Sequence, residues 1–197
     1  MAVKKSSKLV DKWKNKSWYT VLAPKMFENK EIAEAVASEE SGVVNRIVSV
    51  SLMDVLGSGS QNAIFTTLRF RVTDVKGTNA NTKLVGYEIM PTYVRTFVRR
   101  SKSLLHVTVP VKSKDGETIL IKIIAVTGAK VSENTKKNLR NSLVEEVKKV
   151  CEGAEYDTLM QDIVYGRLTS KVFTKLRTIT PMKRVEIRKT ELKENFK

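Results

Sequence analysis

Lysines and an aromatic alternate near the N-terminus, in Lys12-Trp13-Lys14-Asn15-Lys16-Ser17-Trp18-Tyr19. Ammonium groups neutralise phosphates and an indole offers a flat face to an unpaired base, a pairing that recurs where nucleic acid is bound with little sequence preference. Trp13, flanked by Lys12 and Lys14, is the better placed of the two tryptophans for contact. Trp18 stands in a strand-like run and reads as core, because large aromatics dominate burial. Lys25 follows the break at Ala23-Pro24 and extends the basic stretch toward Met26-Phe27.

Three further cationic groupings have regular spacing. Arg69 and Arg71 alternate on one side of a strand with Phe65, a stripe that suits RNA and also suits the wet side of an antiparallel sheet. Arg95, Arg99 and Lys102 fall at i, i+4 and i+7 with Arg100 beside them and no acid among them. Like charges at i, i+4 cost a helix roughly 0.2–0.5 kcal/mol per pair, so compensation from outside the chain is expected. Lys136, Lys137 and Arg140 crowd the first half of a helix, where the dipole prefers anions, which suits a helix presenting its amide end and its lysines to phosphate.

Other chemistry is poorly provided for. Gly57-Ser58-Gly59 lacks the following Gly-Lys-Ser/Thr of a nucleotide loop, and no serine nucleophile elbow is present. One histidine and one cysteine, His106 and Cys151, are too few for the common metal sites, and a single cysteine cannot form an internal disulfide. Asp54, Asp74 and Asp162 are the acids that could hold magnesium for a nuclease, but their spacing is not diagnostic. No cofactor is expected, and an enzyme is disfavoured.

The balance of 36 Lys and Arg against 21 Asp and Glu gives a formal net charge of +15, a field that attracts polyanions. Nucleic acid is favoured over an anionic membrane surface, because no apolar run approaches about 18 residues and the first residues lack a signal-peptide core. A cytoplasmic protein is therefore expected. At 197 residues with 41% hydrophobic content, the chain can bury a substantial core.

Alternation and turn residues supply the elements that position these groups. Residues 1–16 form a basic N-terminal arm, and strands are expected over 17–22, 43–52, 64–73, 83–89, 103–111, 118–126 and 184–190. Residues 29–41 read as a short helical turn or loop, residues 57–62 as a hairpin loop, and 191–197 as a polar tail. Lys114-Asp115-Gly116 is a strong hairpin signal, and His106 falls on the wet face of the strand before it. Helices are expected near 92–101, 132–151 with Ser132 as cap, 156–165 and 167–178. The fold class is α+β: one domain over 17–190 with an antiparallel β-barrel-like core, a C-terminal helical cluster and basic terminal arms.

Several pieces, taken in order, resemble a known family. Trp18-Tyr19 with Val21, Ala23-Pro24 and Met26-Phe27, then Val50-Ser51-Leu52-Met53-Asp54-Val55, then Thr73-Asp74-Val75-Lys76-Gly77, and the Lys114-Asp115-Gly116 hairpin are similar to the small-ribosomal-subunit family S-three-a, or e-S-one, of archaea and eukaryotes. The resemblance covers about residues 12–190 and, without the longer C-terminal extension of eukaryotic members, points to the archaeal type. It implies a β-barrel core with helices on the platform of the small subunit near the mRNA exit. The implied partners are small-subunit rRNA, neighbouring small-subunit ribosomal proteins and mRNA near the exit, with no membrane. Two other readings stand beside it: a free mRNA-binding regulator, and a metal-dependent RNA-processing enzyme using Asp54 or Asp74.

Overall fold

The computed structural model describes residues 13–57 and 63–194. Eight strands and five helices follow one another as β1 (Ser17–Leu22), β2 (Glu31–Ala37), β3 (Ile47–Ser51), α1 (Leu52–Leu56), β4 (Thr66–Lys76), β5 (Asn79–Ile89), α2 (Pro91–Phe97), β6 (Leu104–Lys112), β7 (Thr118–Thr127), α3 (Glu133–Cys151), α4 (Tyr156–Val164), α5 (Arg167–Arg177) and β8 (Met182–Lys193).

β5 is the junction of the sheet. β4 pairs with it antiparallel from Asn79 to Ile89 and so takes one edge entirely. The other edge is shared: β1 runs parallel to Asn79–Asn81, and β8 runs antiparallel to Gly86–Glu88. From β8 the sheet continues through β7 to β6, and from β1 to β2. β3 adds to the free side of β4. Among the described residues no ladder joins β2 to β3, so the expected barrel is not closed; the strands form an open, mixed α+β sheet.

One face of β4 and β5 lines two cores. Near the β1 end, Val72 and Ala80 meet Tyr19, Val21, Ala35, Ala37 and Val43 inside the curl of β1, β2 and β3. Farther along, Leu68, Phe70 and Leu84 join Ile119, Ile121 and Ile123 of β7 under Leu139, Leu143 and Val147 of α3, Leu159 and Ile163 of α4, and Val172 and Leu176 of α5. A third small cluster explains the continuous apolar run in β7. Ile124 and Val126 point to the opposite face and are covered there by Phe97 of α2.

Several expected elements differ. The Ala- and Glu-rich segment expected as a turn or loop is strand β2, because two left-handed residues, Glu28 and Asn29, reverse the chain and set Ala35 opposite Tyr19. Small side chains there let the curl close tightly, and tertiary packing overrides the weak strand propensity of alanine and glutamate. The strand expected over 43–52 is confined to β3 and gives way to α1, capped by Ser51, whose hydroxyl accepts from the Met53 amide at 3.3 Å. Most of the loop expected at 57–62 lies outside the described residues. α2 stops at Phe97, short of 101, because Phe97 seats on Ile124 and Val126 and Val98 turns to extended backbone. β8 continues past Thr190, where a polar tail was expected, as Leu192 packs on the main core and Lys193 pairs with Thr118. α3, α4 and α5 fall close to their expected places, with Glu155 at the N-cap of α4.

Candidate nucleic-acid interface

The N-terminal basic stretch leads into β1. Trp13 is 62% exposed and Lys16 Nζ stands 4.4 Å from the centre of its ring; Lys14 is exposed, and Lys12 lies outside the described residues. Trp18, expected in the core, is 60% exposed, whereas Tyr19 and Val21 are buried. The alternation was read correctly but its inner face was the other one: the alanines of β2 leave room for Tyr19. Arg46, just before β3, donates to the carbonyl of Val36 on β2 at 2.9 Å and borders, with Lys16, a shallow concavity.

Lys25 has different surroundings. It lies on the rim of an open groove of about 700 Å³ bordered by Asp115, Glu117, Glu155 and Asp157, with Leu22, Pro24 and Leu84 at its floor. Four carboxylates there disfavour a polyanion, so Lys25 stands apart from the other cations.

Arg69 and Arg71 each have a carboxylate. Arg69 begins a chain of charges across four strands: to Glu88 at 2.5 Å, Glu88 to Lys189 at 3.7 Å, Lys189 to Glu191 at 2.7 Å and Glu191 to Lys122 at 3.0 Å. Hydrogen bonds from Lys189 and Lys122 hold the Glu191 carboxyl below its ordinary value. Arg71 makes a two-point pair with Glu194, beyond the end of β8. Neither partner was legible in the local pattern of β4.

A further group of cations lies where β6 begins, β7 ends and β8 begins. Arg95 is exposed on α2, while Arg99 and Arg100 are exposed on the following loop and not on the helix. Lys102 donates to the Gly128 carbonyl at 2.5 Å and ties that loop to the end of β7. The Ser103 hydroxyl accepts from the Val131 amide at 3.2 Å, which brings the start of α3 to the same place. Ser132 caps α3 by accepting from the Thr135 amide, and Lys136 pairs with Glu133 at 2.6 Å. Lys137 and Arg140 stay exposed and make no ion pair among the described residues, while the Arg140 charge helps Lys136 hold the Glu133 carboxyl below its ordinary value. Lys130, Arg177 and Lys183, which were not singled out in the sequence, are exposed at this end too. Only the topology could find them, since β8 starts beside Thr127.

Aromatic rings at this end are already engaged. Phe65 stacks on Tyr93 at 4.5 Å, Phe97 meets Tyr93 edge-on at 5.6 Å, and the Arg184 guanidinium covers Tyr93 and Phe97 at 5.1 Å each. Arg184 is fixed in turn by Glu186 at 2.9 Å. Among the described residues the surface here therefore offers charge while its rings are engaged, which suits contact with a sugar-phosphate backbone.

Asp162 pairs with Arg167 at 3.2 Å, and among the described residues no three His, Cys, Asp or Glu side chains gather to hold a metal ion. His106 is exposed on β6, as alternation implied. Burial pushes the Cys151 thiol up to about 12 at the end of α3, where it is a packing residue and not a nucleophile. Among the described residues no helix is long and apolar enough to cross a membrane.

The sequence is similar to those of known proteins. Small ribosomal subunit protein eS1 of Methanobrevibacter smithii is 34% identical over 182 residues, covering 92% of this chain and 93% of that one. The protein of the same name from Sulfolobus acidocaldarius is 31% identical over 193 residues, covering 98% and 97%, and that from Methanothermobacter thermautotrophicus is 28% identical over 194 residues, covering 98% of each. The model of the ribosomal S3Ae family matches residues 4–195. With the match running through both cores and the cationic end of the sheet, this chain belongs to the ribosomal S3Ae family.

Proposed function

We propose that this chain is a structural, non-catalytic constituent of the small ribosomal subunit that binds the subunit's RNA through the cationic end of its sheet. The observation that carries the reading is the group formed by Arg95, Arg99, Arg100, Lys137 and Arg140 with Lys130, Arg177 and Lys183, all exposed and set on four different elements and their loops. Members of the family are components of the subunit and not enzymes. Lys102 and Lys136 support this surface mainly by holding its loops and helix in place, and Arg69 and Arg71 chiefly tie strands together. The basic N-terminal stretch, with Trp13, Lys14 and Lys16, forms a second contact at the β1 end. A place on the platform near the mRNA exit, neighbouring ribosomal proteins as partners, and residence in the cytoplasm complete the reading.

Binding of the full chain to small-subunit RNA, followed across salt concentrations, tests it. With six to ten phosphate contacts, affinity should fall by roughly a thousandfold or more between 50 and 200 mM salt. A nearly flat dependence would overturn it.

A further inference from the structure

Resting on the RNA reading above, we infer that the outer face of β1 at its N-terminal end is a site for single-stranded RNA, with the Trp18 indole as the platform on which an unpaired base stacks. Trp18 is a large ring held on a rigid strand, paired through Val36 to β2, and yet it is 60% exposed. Among the described residues no aromatic ring or cation covers it, in contrast to Tyr93 and Phe97 at the other end. Leaving an indole in water forgoes the burial that normally stabilises it, and its open face can take a ligand with a flat apolar face.

Charge decides between a base and an apolar protein surface. Lys14 and Lys16 precede Trp18 by four and two residues, and Lys16 and Arg46 border the same concavity beside β2. Glu39, which also borders it, accepts a hydrogen bond from Ser41 at 3.2 Å. An indole that follows Lys14 and Lys16 in the chain, and whose ladder partner Val36 borders the concavity of Lys16 and Arg46, with Glu34 the acid on the same face of β2, fits a chain that alternates flat rings with phosphates, and unpaired RNA has that alternation on its surface. A duplex keeps its bases stacked on one another and offers the indole nothing. The two ends of the molecule therefore differ in what they take: backbone at the α2 end, unpaired bases at the β1 end.

Trp13 and Trp18 are the only two tryptophans, so the Trp13→Phe protein reports Trp18 alone by fluorescence. Titration of this full-length protein with a short oligouridylate should quench the emission, and a short blunt RNA duplex should bind without quenching it. Trp18→Ala should lower oligouridylate affinity by about tenfold and leave duplex affinity unchanged, and Trp18→Phe should restore most of the loss. Unaltered oligouridylate affinity in Trp18→Ala overturns the inference, as does an equal loss for both RNAs that Trp18→Phe does not repair. If Trp18→Ala binds both RNAs normally but enters subunits poorly, the indole contacts a protein and the inference fails. A wild-type chain that binds neither RNA would instead sink the broader RNA reading.

Discussion

The Tyr156 hydroxyl donates to the Leu84 carbonyl at 2.5 Å, 72 residues away in the chain. It does so where the sheet splits, between the residues of β5 that pair with β1 and those that pair with β8. The ring is buried, and burial raises the phenol well above its ordinary value, so it stays a neutral donor at any physiological pH. The Tyr156 amide in turn donates to Asp115 in the β6–β7 turn at 2.8 Å, so one residue joins the helical layer, the hairpin and the split.

Replacing Tyr156 with Phe should destabilise the fold by about 1–3 kcal/mol, since it leaves a buried carbonyl without its donor. Chemical denaturation checks this. A loss under about 0.5 kcal/mol would show that water fills the place of the hydroxyl.

The charge chain from Arg69 to Lys122 should give a small acid-dependent contribution. Glu191 titrates below its ordinary value of 4.5 in the folded protein, so its contribution is complete above that value and is lost as pH falls through the folded one. Glu191→Gln should thus be less stable than wild type by about 0.5 kcal/mol at neutral pH, the modest size reflecting partial exposure. The two proteins should converge in thermal melts at strongly acid pH.

Arg184 clamps α2 by covering Tyr93 and Phe97. Arg184→Ala should cost about 1–2 kcal/mol. Hydrogen exchange should locate the loss in α2, with the amides of Val94 to Phe97 exchanging faster and those of α3 unchanged.

Arg99 and Arg100 are exposed without carboxylate partners among the described residues, while Arg69 pairs with Glu88. Replacing both Arg99 and Arg100 with alanine should lower the slope of log affinity against log salt by about 1.5–2, and Arg69→Ala should leave it nearly unchanged. Equal effects would place the RNA on the sheet face instead.

How far the sequence was legible depended on the range of the interactions. α3 lies within one residue of its expected bounds because Ser132 and the Leu139, Leu143, Val147 stripe are local signals. The β6–β7 hairpin was equally plain, with Gly116 at positive φ in its turn. β2 was missed because alanine and glutamate carry no strand signal, and what makes it a strand is Tyr19 across the ladder. The two faces of β1 were separable, but only β2 decides that Tyr19 goes inward and Trp18 outward. For the cations, type and spacing were visible and partners were not: Arg71 meets a glutamate 123 residues away. The cluster of Lys130, Arg177 and Lys183 with Arg99 exists only once β7 and β8 lie side by side.

Sedimentation of a cell extract, with this chain followed by antibody, tests the central claim most directly. The expected result is that nearly all of the chain travels with small ribosomal subunits at low salt and leaves them in a high-salt wash. A chain found mostly at the top of the gradient, free of subunits at low salt, would contradict it.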